Sequence, residues 1–194
     1  MSQYTLDASA SVHFSFRDLI ECGDTAKQYQ LFILPKQTAS WQALSQLATN
    51  LLDPIVEQFG PINLSYGFCS PELARKIAKN PKPHIAPALD QHTSHELNNK
   101  NNLICPRLGA ACDFIVKDSR YNMQQVGQWV ATELKFDRLY YYGKASPIHL
   151  SYGPDMNQFV QLMSTKINGS QQQRVPYLKG RNDKAITLLK EVEF

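Results

Sequence analysis

Asp113 interrupts an apolar run. Cys112-Asp113-Phe114-Ile115-Val116 otherwise has the composition of a buried strand. A carboxylate does not enter a protein interior cheaply without a hydrogen-bonding partner or a cation. Any fold open to this chain must therefore deliver one to Asp113. Two other segments carry suitable groups: Asp90-Gln91-His92-Thr93-Ser94-His95 upstream and Pro147-Ile148-His149-Leu150-Ser151 downstream. In chain order the three segments offer imidazole, carboxylate and imidazole. Two imidazoles and one carboxylate make a three-ligand zinc site with the fourth position left for water.

Composition narrows the setting. A chain of 194 residues, 43% of them hydrophobic, supports one domain with a sizeable core. The expected division is residues 1–163 as that domain and residues 164–194 as a polar, mildly basic tail. In the tail, Lys166, Arg174, Lys179, Arg181 and Lys184 are diluted by Asp183, Glu191 and Glu193. Nucleic acid is therefore not the expected partner, although a net charge of +3 does not exclude it. No apolar run reaches the length of a membrane span, so no membrane partner is expected. Met1–Ala10 lacks a basic segment followed by an apolar one, which predicts a cytoplasmic location. Cys22, Cys69, Cys105 and Cys112 form no CxxC pair. They read as reduced, mostly buried thiols rather than a four-cysteine metal site.

The pattern along the chain predicts an α+β fold with a small, mainly antiparallel sheet packed with helices. Ser40 is expected to cap a helix beginning near Trp41, because Trp41, Leu44, Leu47, Ala48, Leu51, Leu52 and Ile55 share one helical face. Pro54 kinks that helix or begins its last segment, and Gly60-Pro61 ends it. Ile62–Tyr66 alternates as a half-buried strand. Ser70-Pro71-Glu72 reads as an N-cap with proline at the first helical position. Residues 80–87 hold three prolines and 96–106 are rich in asparagine, so both read as loops. Asn122 caps a helix through Met123, Val126, Val130 and Leu134. Arg138–Tyr142 and Ile148–Tyr152 read as a hairpin, and Met156–Met163 as a last short helix.

Several short motifs, in this order, resemble the zinc D-alanyl-D-alanine carboxypeptidase-like peptidases, the hedgehog/DD-peptidase fold. Phe14–Ile20 with Asp24-Thr25-Ala26 is similar to the family's opening segment. Leu51–Ile55 and Phe59–Ile62 are similar to its long helix and the start of its first strand. Ser65-Tyr66-Gly67-Phe68-Cys69-Ser70 resembles its serine-glycine-tyrosine-arginine-serine turn. Gly109-Ala110-Ala111-Cys112-Asp113 resembles its glycine-x-alanine-x-aspartate motif. Phe136–Leu139 and Ile148–Tyr152 resemble its closing hairpin. The resemblance implies zinc as cofactor, with Asp113 and His149 as ligands and His92 or His95 as the first histidine. It implies an amide or peptide hydrolase acting on a peptide or peptidoglycan-like substrate. A peptidoglycan substrate sits awkwardly with a cytoplasmic location, unless a phage holin releases the enzyme.

The chain also departs from the family's pattern. Cys69 stands where the turn carries arginine, and Tyr142 where an acidic residue is expected. Three residues before His149 stands Ser146 rather than glutamate. The catalytic acid/base is thus altered, and Glu96 or Asp90 is the expected replacement, with Tyr142 as a donor to an oxyanion. The alternative is a catalytically degenerate zinc-binding protein serving as a binding or regulatory module. A third possibility is a cytoplasmic enzyme acting on some other substrate. Absent the resemblance, His149 reads as a structural histidine, Tyr140-Tyr141-Tyr142 as sheet packing and Cys69 as a buried thiol. His13 and His84 read as structural or exposed.

Overall fold

The computed structural model describes residues 4–28, 33–79, 90–168 and 171–193. The proline-rich stretch 80–87, with His84, lies outside the described residues. The class is α+β, as the patterning predicts. Among the described residues, six strands form one sheet in the order β1-β2-β4-β3-β5-β6. These are β1 (Ile62–Tyr66), β2 (Ala110–Val116), β3 (Arg138–Tyr141), β4 (Ile148–Tyr152), β5 (Phe159–Asn168) and β6 (Gln171–Arg181). Every neighbouring pair is antiparallel except β3 and β5, which run parallel. The sheet is therefore mixed, and mainly antiparallel.

The N-terminal half supplies helices α1 (Phe16–Ile20), α2 (Asp24–Gln28), α3 (Thr38–Leu47), α4 (Asp53–Phe59) and α5 (Pro71–Ala78). The apolar stripe foreseen from Trp41 to Ile55 is buried along its whole length. Removing a side chain such as Leu47 or Leu51 to alanine from such a setting costs about 2–5 kcal/mol. A π-helical stretch, Ala48–Leu52, joins α3 to α4, and Pro54 sits in the first turn of α4. Proline is tolerated there because the first helical N–H groups have no partner within the helix. Gly60 ends α4 at a φ of 78°. Ser70 caps α5 by accepting from the Leu73 N–H at 3.1 Å. Asn122 caps α6 (Met123–Glu133) with a complete capping box.

Three expectations need correction. Helix α3 begins at Thr38, and Ser40 lies inside its first turn rather than capping it. The segment 156–163 is not a helix: β5 begins at Phe159. Val160 and Leu162 are both buried, at the two-residue spacing of a strand. The described part of the polar tail is ordered into the rest of β5, β6 and helix α7 (Asp183–Glu191). Gln124 and Gln128 of α6 donate to the Leu189 carbonyl at 2.9 Å, fixing α7 in place.

The two faces of the sheet differ in chemistry. Cys112, Phe114, Leu139, Tyr141, Ile148, Leu150, Val160 and Leu162 are buried in the core. Gly127 of α6 comes so close that an added Cβ would meet Ile148 at 3.4 Å and Leu189 at 3.5 Å, so α6 and α7 cover this face. The alternate positions carry polar and aromatic groups. Backbone register sets Asp113 opposite His149, His149 opposite Tyr140, and Tyr140 opposite Gln161. A bulge in β1 between Leu64 and Tyr66 brings Tyr66 opposite Asp113. Without that extra residue Tyr66 would turn to the other face. Among the described residues, no helix is long and apolar enough to cross a membrane.

Candidate metal centre

The polar row across β1, β2, β4 and β3 is where the three sequence segments meet. His149 Nδ1 lies 2.9 Å from Asp113 Oδ1. His92 Nε2 lies 3.1 Å from His149 Nδ1 and 3.3 Å from Asp113 Oδ1. Three atoms able to act as metal ligands once deprotonated thus form a small triangle. A tetrahedral zinc ion with bonds of about 2.0–2.2 Å sets its ligand atoms about 3.3–3.6 Å apart, so the donor set suits that ion and the triangle would open by a few tenths of an ångström to admit it. Asp90 joins the group: ligand atoms of Asp90, His92 and His149 all lie within 4.8 Å of one another. Asp90, His92 and His149 could hold a metal ion.

The chain holds each of these groups rigidly. His92 sits in a 3-10 turn, Gln91–Thr93, capped by Asp90, whose Oδ1 accepts from the His92 N–H at 2.9 Å. The His92 carbonyl accepts from the Cys69 N–H at 2.8 Å, and Ser94 Oγ donates to the Gly109 carbonyl at 2.8 Å. Gln91 Nε2 donates to the Leu108 carbonyl and to Asp137 Oδ2, each at 2.8 Å. The His92 ring is oriented by its other nitrogen, Nδ1, 2.8 Å from the Gly67 carbonyl. A carbonyl only accepts, so Nδ1 carries hydrogen, and Nε2 is the atom turned to the cluster. Tyr66 packs tilted against His92 at 4.5 Å, and Tyr140 stacks on His149 at 4.6 Å and 13°.

Two glycines of the motifs have steric reasons. A Cβ on Gly67 would meet the Leu19 carbonyl oxygen at 2.0 Å. One on Gly109, whose φ is 111°, would meet the Tyr152 carbonyl oxygen at 2.0 Å. Gly109 is therefore required where the 90–95 segment, β2 and the end of β4 come together.

Charge follows geometry. Burial disfavours the charged form of His92, but Asp90 and Asp113 outweigh it and push the ring up to about 9. Burial likewise opposes ionisation of Asp113, yet His92 and His149 hold its carboxyl well below the usual carboxylate range. A proton on His92 and a charge on Asp113 together occupy the place that a cation would take.

The other expected site residues have different surroundings. The His95 Nε2 accepts from the Gly109 N–H at 3.3 Å, and burial lowers its pKa. That nitrogen is committed to backbone, so His92 supplies the imidazole of the cluster. Glu96 is buried, and its Oε1 accepts from the Lys36 and Gln37 N–H groups and from Ser40 Oγ at 2.9–3.1 Å. It secures the start of α3 instead of facing the cluster. Burial raises the Cys69 thiol to about 11, so it is not an activated nucleophile. His13 is exposed.

Asp90, His92, Asp113 and His149 line a cleft of about 710 Å³ together with Tyr142. Burial raises the Tyr142 pKa, which keeps its hydroxyl protonated. Three cations that motif matching overlooks line the same cleft: Arg107, Arg138 and Arg174. Arg138 is legible from spacing alone, since it shares a strand face with Tyr140 and Tyr142. Arg174 is not, because the polar composition of 164–194 predicts a tail where β6 forms. Comparison of the chain with family models, with curated proteins and with solved structures yields no match.

Proposed function

We propose that this protein is a zinc-dependent amide or peptide hydrolase resembling the peptidoglycan DD-peptidases. The observation that carries the reading is the triangle of His92 Nε2, Asp113 Oδ1 and His149 Nδ1, no side of which exceeds 3.3 Å. His92, Asp113 and His149 would hold the ion. When bound, zinc supplies Lewis acidity and brings the pKa of a water towards about 7. Asp90, whose carboxylate lies within 4.8 Å of both imidazoles, accepts the proton and passes it to the leaving amine. Tyr142, protonated in the cleft, donates a hydrogen bond to developing negative charge. Glu96 takes no part, because its carboxylate is spent on α3.

A second reading is a zinc-binding module without turnover. It is favoured by Cys69, a buried thiol where the resembled turn carries arginine. One experiment separates the two. Zinc-loaded protein is tested for clearing of purified cell walls, with and without a chelator, beside Asp90→Asn. Asparagine retains the cap on the 3-10 turn. Clearing that needs metal and disappears in a zinc-replete Asp90→Asn variant supports the hydrolase. Zinc bound at one per chain with no clearing favours the binding module.

A further inference from the structure

The cleft holds more positive charge than a metal centre alone requires. Arg107, Arg138 and Arg174 all line it. None of the three makes an ion pair with a described carboxylate. The Nε atoms of Arg107 and Arg138 are buried without a hydrogen-bond partner. A buried guanidinium N–H left unpaired is costly, so its retention points to a partner that arrives from outside. The planes of two of these groups are already positioned. Arg138 lies over the Phe159 ring at 4.8 Å, and Arg174 over the Tyr142 ring at 4.4 Å. Stacking fixes a guanidinium while leaving its edge donors free.

Three guanidinium groups and three carboxylates, Asp24, Asp90 and Asp113, line the cleft. A dication held by the cluster leaves it two positive charges in excess. A single carboxylate is satisfied by one arginine, whereas a phosphate presents several acceptor oxygens and up to two charges. We propose that this cleft binds its substrate through a phosphate group, held by Arg107, Arg138 and Arg174 beside the metal cluster. The phosphate is an anchor here, and the reacting bond lies towards His92 and His149. The placement of that bond rests on the hydrolase reading above; the anion site itself does not.

The test is calorimetric titration of the full chain, metal-free and zinc-loaded, with inorganic phosphate, sodium acetate and the dinucleotide pTpT. Zinc content is measured on the same samples. Phosphate binds both forms, and acetate at least about tenfold more weakly, since charge-assisted bonds to each arginine are worth more than 1.4 kcal/mol. Arg138→Gln with Arg174→Gln weakens phosphate about tenfold or more in the metal-free form, and Arg138→Lys with Arg174→Lys recovers part of it. Tighter binding of pTpT than phosphate identifies a phosphodiester chain as the source; equal binding identifies a lone phosphate group. The proposal is overturned if phosphate fails to bind metal-free protein, if the glutamine variant binds as the wild type does, or if acetate binds equally well. Phosphate binding with no zinc uptake overturns the hydrolase reading and leaves the anion site standing.

Discussion

Asp113 and His149 face each other across neighbouring antiparallel strands, and their side chains meet at 2.9 Å between Oδ1 and Nδ1. Strand register alone brings these two groups together. The third, His92, is delivered by a turn outside the sheet and is held by the carbonyl of Gly67. The proposed metal site is thus half sheet and half loop. The four predictions below test each half.

Metal affinity should depend steeply on pH. In the metal-free protein His92 is raised from 6.5 to about 9. Its protonated ring contributes stability that is fully present below pH 6.5 and is lost as pH rises through about 9. Asp113 lies below its ordinary 3.8, so its contribution is full above that value and is lost as pH falls further. Metal must displace the His92 proton, so zinc affinity climbs by up to about tenfold per pH unit below pH 9 and levels off above it. Competition against a chelating dye between pH 6 and 8 measures the slope. A flat profile contradicts the assignment of His92.

Glu96→Ala should destabilise the fold while sparing the cluster. The substitution leaves two partly buried backbone N–H groups and the buried Ser40 hydroxyl without their acceptor. The expected cost is about 2–3 kcal/mol in urea unfolding, with zinc content unchanged. Loss of zinc from a folded Glu96→Ala protein would place this carboxylate at the metal after all.

Gly109→Ala tests the junction between loop and sheet. Its φ of 111° and the 2.0 Å approach of the Tyr152 carbonyl leave no room for a methyl group. Thermal melting should fall by an amount equivalent to about 3 kcal/mol or more. A melting temperature within a degree of wild type is the contrary result.

Much of this fold could be read in the sequence where local signals agree. Ser70-Pro71 and Asn122 each cap a helix as expected, and the stripe from Trp41 to Ile55 is buried as expected, though over α3, a π-helical stretch and α4. The failures have physical causes. At Ser40 the hydroxyl is taken by Glu96, distant in sequence, and no local pattern encodes that. At 156–163, Met156, Phe159, Val160 and Met163 fit helical spacing, while Val160 and Leu162 fit strand spacing. Pairing with β3 on one side and β6 on the other decides for the strand. Reading 164–194 as tail hid β6 and with it Arg174. Between His92 and His95 the choice rests on which ring the Gly67 carbonyl orients, a contact made only in three dimensions.

Metal analysis tests the central claim most directly. The purified wild-type chain, stripped and then given one equivalent of zinc, should retain close to one zinc after dialysis. Asp113→Ala and His149→Ala should each retain little while keeping a wild-type circular dichroism spectrum, and His95→Gln should retain as much as the wild type. Equal zinc in the wild type, Asp113→Ala and His149→Ala would contradict the account.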